Sequence, residues 1–178
     1  GSRIIGFFTS RRLGTPQPAS PQWALMAPLV LPMLMAALMT LRLALPLAAL
    51  CGIACGLLGL VQTVRWWAKG TAKEPLLWTL HIGYAATAIG LIIMGFGQWI
   101  PKLMSPGVHF IAVGGIGLLT VSMMTRTALG HTGRQLYPAP KLMPTAFCLM
   151  VGALFFRTLA AVMLTVPIKP QPPKAKIT

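Results

Sequence analysis

The chain of 178 residues carries a single acidic side chain, Glu74. Paired-carboxylate catalysis needs two such groups and a carboxylate-bridged metal centre needs more, so glycosidase, aspartic-protease and di-iron chemistry are excluded together. Cysteine is scarce as well. Three thiols do not complete the usual four-thiolate ligation of an iron–sulfur cluster, and no Cys-x-x-Cys-His run offers covalent haem attachment. Charged residues of either sign make up 9% of the chain, against roughly 25% in an average soluble domain. An ordinary soluble globule is thereby ruled out.

What is present is apolar. Hydrophobic residues are 56% of the chain and the mean hydropathy is +0.75. With 15 Lys and Arg the net charge is +14, which in a polar chain would point to nucleic acid. In a chain this apolar the basic excess reads as membrane topology, and no nucleic-acid partner is expected. Five stretches, 23–41, 45–64, 76–100, 107–128 and 144–166, suffice to cross a bilayer at about 20 residues each. The expected fold is all-α, a polytopic transmembrane helical bundle over 23–166 with the lipid bilayer as its surroundings.

Pro21, Pro46, Pro75, Pro106 and Pro144 stand where a helix start tolerates a missing N–H, and Ser20, Glu74 and Ser105 just before three of them read as N-caps. Pro28 and Pro32 interrupt the first span and predict a bend. Residues 1–22 mix Arg3, Arg11 and Arg12 with Phe7 and Phe8, as suits a cytoplasmic segment lying on the membrane surface. Residues 167–178 read as a disordered, basic, proline-rich tail.

Basic residues divide unevenly between the two sides. Arg3, Arg11, Arg12, Arg65, Lys69, Lys73, Arg126, Arg134 and Lys141 fall on one, and Arg42, Lys102, Lys169, Lys174 and Lys176 on the other. The positive-inside rule makes the first side cytoplasmic. Trp23, Trp66, Trp67 and Trp99 at span ends read as headgroup-level anchors.

Ionisable or metal-ligating groups inside a bilayer are expensive and usually have a role, which singles out the three histidines. His81 lies about 9 Å into the third span from its cytoplasmic start. His109 sits at the outer start of the fourth span, and His131 follows that span on the cytoplasmic side, so these two are about 30 Å apart and cannot share a metal. His81 and His131 can face each other near the cytoplasm. Trp78 and Tyr84 lie three residues either side of His81, and Gly83 leaves room for a flat ring, which together would wall a haem; a hydrogen-bonded packing histidine is the plain alternative. Met123, Met124, Arg126, His131 and Arg134 gather soft sulfur, imidazole and guanidinium at one helix end, suiting metal and anion ligation or simply a basic loop. Cys51 and Cys55 share a helix face beside Gly52, Gly56 and Gly59 and read as helix packing. Arg157, placed midway in the fifth span, needs an anionic, carbonyl or water partner.

These residues together resemble the NnrS family of haem- and copper-containing membrane proteins of the bacterial nitric oxide response. The resemblance lies in GSRIIGFFT at 1–9, in WTLHIGY at 78–84, in His109 and Phe110 followed by GGIG at 114–117, and above all in MMTRTALGHTGR at 123–134. Arg157 also falls at a family arginine, whereas Gly6 stands where the family commonly has proline. The resemblance implies the C-terminal half of a protein of about twelve spans, with the missing N-terminal half as its partner, in the bacterial inner membrane. It further implies haem and copper as cofactors, nitric oxide or an iron-nitrosyl species as ligand, and a part in denitrification or nitrosative stress. Trp78, His81, Tyr84, Arg126, His131, Arg134 and Arg157 become candidates for haem, and His81, His109 and His131 for metal ligation. The alternative function is half of a transporter or channel without a redox cofactor.

The orientation is directly checkable. In a background lacking the native cysteines, Lys102→Cys is expected to react with an impermeant thiol reagent from outside the cell, and Lys69→Cys and Arg134→Cys are not. The reverse pattern would invert the topology.

Overall fold

A backbone in lipid has no water to bond, so each apolar stretch must close its own hydrogen-bond ladder. The computed structural model describes residues 2–16 and 19–163, and among these there is no strand. Helix α1 (Ser2–Leu13) is followed by α2 (Gln22–Thr40), α3 (Leu45–Trp66) and α4 (Pro75–Gly97). The fourth span is composite: α5 (Met104–His109), a π-helical stretch Phe110–Gly117 and α6 (Leu118–His131). Helix α7 (Met143–Met163) closes the described bundle. Five helical segments are long and apolar enough to cross a membrane, as expected for a multi-pass membrane protein. The expected tail at 167–178 lies outside the described residues.

The start signals act through proline more than through side-chain caps. Pro46 and Pro75 occupy the first turn of α3 and α4, but neither Pro21 nor Glu74, at the cap positions, caps with its side chain. Ser105 lies inside α5. Pro28 and Pro32 stay within an unbroken α2.

Helix α4 is the centre. It packs on α3 along one side and on the composite fourth span along the other, and also touches α1 and α7. Half of its most apolar window is buried, against 11% for α2 and 17% for α7, which makes those two helices the periphery. Glycine permits the close approaches: a methyl at Gly56 would lie 2.4 Å from the Ala88 carbonyl oxygen, and one at Gly95 2.8 Å from that of Ala49. Across the other face, a methyl at Gly115 would lie 2.2 Å from Thr87 Oγ1.

Helix α1 is more than a surface segment. Ile5 and Thr9 are buried, and Ile5 joins Trp66 and Leu80 in one apolar cluster. Trp66 is accordingly a core residue, while Trp23, Trp67 and Trp99 are exposed at their span ends.

Gly56→Ala is expected to lower the stability of the detergent-solubilised protein by about 1–3 kcal/mol through overpacking against the α4 backbone. Gly152, whose added methyl meets nothing within 4 Å, is the control. Gly152→Ala should be neutral or gain up to ~1 kcal/mol of helix propensity. Thermal unfolding followed by circular dichroism separates the two.

Candidate functional site

His81 is 1% exposed. Its Nδ1 lies 2.9 Å from the Leu77 carbonyl oxygen and its Nε2 3.4 Å from that of Trp66. Whichever nitrogen carries the proton, the other meets an oxygen and not open space, so no position for a metal is left free. The ring stands edge-on to Trp67, with centroids 5.4 Å apart. The gap expected beside Gly83 is filled by α6, since a methyl there would touch Leu119 Cγ at 3.0 Å and Leu118 Cβ at 3.3 Å.

The flanking aromatics do not form one wall. Six residues at 3.6 per turn leave Trp78 and Tyr84 about 120° apart around the helix. Trp78 turns to Phe147 of α7, and Tyr84 turns to Trp66 and donates its hydroxyl proton to Gln62 Oε1 at 2.9 Å.

His131 is exposed at the end of α6, as is Arg134 beyond it. Ser122 Oγ donates to the Leu76 carbonyl and so brings those two levels together. From there His81 is five residues deeper and His131 nine residues outward, a separation of about 20 Å along the bundle. The structure therefore does not bring the two rings face to face. His109, half-buried at the far end, engages Ser105 O through Nδ1 at 2.7 Å and leaves Nε2 without a partner among the described residues. These residues contain no group of three His, Cys, Asp or Glu side chains placed for a metal ion. Arg157 is exposed on α7, and its guanidinium has no partner there among the described residues.

What the fold does assemble lies at the end of the bundle that α1 covers. Arg12 Nε donates to Glu74 Oε1 at 2.9 Å, and the same guanidinium lies 4.0 Å from the ring centroid of Tyr137. Arg126 lies 4.1 Å from the centroid of Phe8 and 6.0 Å from that of Tyr137, with Nη2 donating to the Leu76 carbonyl at 3.4 Å. The Tyr137–Pro138 peptide is cis. Four separate segments thus meet in an alternating stack of guanidinium and aromatic groups. Phe8, Glu74 and Tyr137 were not readable as site residues, because their contacts span some 60 to 130 positions of chain; only the paucity of acids hinted that Glu74 had one basic partner.

A second, smaller gathering at the opposite end of the bundle was also not foreseen. Gln98 Nε2 lies 3.6 Å from both the Met39 and the Met104 sulfur. Met35, Cys51 and Met94 pack nearby between α2, α3 and α4. Cys51 and Cys55 are buried there as packing groups.

Glu74→Gln should loosen α1 only mildly, by roughly 0.5–1 kcal/mol, because the ion pair is partly exposed. Arg12→Ala removes the Tyr137 stack as well and should cost about twice that. Hydrogen exchange of the α1 amides reads both, and equal effects would show that the stack contributes nothing.

Residues 1–171 match the family model described as NnrS protein. No curated protein and no solved structure matches the chain.

Proposed function

The chain belongs to the NnrS family, and from that premise we propose that it serves the response to nitric oxide and nitrosative stress in the bacterial inner membrane. Nitric oxide or an iron-nitrosyl species is its ligand, and haem and copper are its cofactors in this reading. The observation that carries the proposal is the extent of the family match, which takes in all five apolar helices and all three histidines.

A haem does not fit between His81 and His131 in this packing. The histidines are too far apart, the first has both nitrogens against carbonyls, and Leu118 and Leu119 occupy the space at Gly83. His109 fits better as a single imidazole ligand, because Ser105 holds Nδ1 and leaves Nε2 free. Such one-sided donor sets take their remaining ligands from elsewhere, and the N-terminal half of a longer parent is the proposed source. The peripheral helices suit that role. Helix α7 exposes Phe155 and Phe156 beside the unpartnered guanidinium of Arg157, and a bare charge against lipid costs several kcal/mol.

Protein purified from cells exposed to nitric oxide is expected to contain iron and copper, to show a Soret band, and to shift that band when nitric oxide is added. His109→Ala should remove most of the copper and leave the Soret band unchanged. Absence of both metals from the intact parent protein would overturn the cofactor assignment. Unchanged growth under a nitric oxide donor in cells lacking the protein would overturn the functional one.

A further inference from the structure

The stack at the cytoplasmic end encloses an open cavity of about 480 Å³, lined by Phe8, Arg11, Arg12, Arg126 and Tyr137 among others. A neighbouring cavity of about 400 Å³ shares Arg12 and Tyr137 and adds Lys73 and Glu74. The charge around this space is unbalanced. Glu74 is the only carboxylate in the chain, and Arg12 already holds it, so Arg11 and Arg126 face the first cavity with no counter-charge.

The hydrogen-bonding capacity is unbalanced in the same direction. Arg126 Nε and the Tyr137 hydroxyl are buried and have no hydrogen-bond partner among the described residues. Both belong to residues of the cavity wall, and both are donors. Native structures rarely leave such groups unpaired, and a missing acceptor is one of the standard reasons when they do. Guanidinium forks match the geometry of phosphate and carboxylate oxygens, with two parallel N–H donors to one anion.

Depth narrows the anion. Arg126 and the adjoining Gly130 occupy the last turns of α6, on the side carrying nine basic groups, where the bundle emerges among headgroups. Basic pockets between transmembrane helices on the cytoplasmic side are suited to anionic head groups. We propose that this cavity is a binding site for a phosphate oxyanion, presented as the headgroup of an anionic phospholipid or as free inorganic phosphate. The bound anion bridges α1, α6 and the 132–142 loop. It supplies the acceptor that Arg126 and Tyr137 lack and locks the N-terminal helix onto the bundle. This inference is independent of the nitric oxide reading.

The intact chain would be placed in phosphatidylcholine nanodiscs with and without phosphatidylglycerol, and its unfolding midpoint and retained lipid measured. Inorganic phosphate would be titrated into the phosphatidylcholine discs at constant ionic strength against chloride. A lipid site predicts retained phosphatidylglycerol and a raised midpoint with no phosphate effect; a free-anion site predicts saturable stabilisation by phosphate. Tyr137→Phe and Arg11→Gln should each weaken binding about threefold to tenfold, with helicity unchanged. Arg126→Gln should abolish binding, and Arg126→Lys should not restore it because the fork is gone. Arg134→Gln, exposed and outside the cavity, should bind as the unaltered chain does. The proposal is overturned if neither phosphatidylglycerol nor phosphate has an effect, if Tyr137→Phe and Arg11→Gln bind undiminished, or if Arg134→Gln weakens binding as much as they do.

Discussion

Between helices in lipid there is little water to expel, so contact at short range has to supply the attraction that hydrophobic burial supplies in a soluble core. In this bundle that contact depends on glycine along both faces of α4 and on the helices it meets. Gly56 admits the α4 backbone at Ala88 and Gly95 the α3 backbone at Ala49, and Gly115 allows the same close approach to Thr87. The consequence extends to chemistry. Once Leu118 and Leu119 have closed on Gly83, the ring of His81 is confined to its own helix and to Trp66 and Trp67.

Against that apolar economy, the end of the bundle covered by α1 is organised by a shortage of negative charge. One carboxylate serves the chain, and it is used to hold α1 down through Arg12. Arg11 leans on the Phe7 ring, and Arg126 on the Phe8 ring and on Leu76 O. Aromatic faces stand in for acids there, since a ring quadrupole attracts a cation without itself carrying a charge that must be desolvated. The family signature at 123–134 therefore divides in two in space: Arg126 points into the bundle end while His131 and Arg134 remain in solvent.

The five spans were legible because length and apolarity are properties of a segment alone, and their observed limits differ from the expected ones by a few residues at most ends. Depth along a helix was legible too, as His109 and His131 do lie at opposite ends of one span. What could not be read was azimuth between helices. That Trp78 faces Phe147 while Tyr84 faces Trp66 depends on which neighbour lies on which side, and no spacing within α4 carries that information. Trp66 shows the same limit, since its place at a span end suggests a headgroup anchor until α1 folds over it with Ile5. Arg157 shows it again, since its depth along the span was legible but not that the described helices leave it on the rim.

The π-helical stretch Phe110–Gly117 resets the rotation of the fourth span. In such a stretch the hydrogen bonds reach five residues back instead of four, so each turn takes up nearly one residue more and the face carried from one end is turned through a fixed angle by the other. Helix α5 thereby sets Gly107 against Gly90 and Met94 at one end, while α6 sets Ser122 against Leu76 at the other. His109 and Arg126 share a span but not the relative facing that an uninterrupted α-helix would give them, so the surroundings of each follow from its own neighbours.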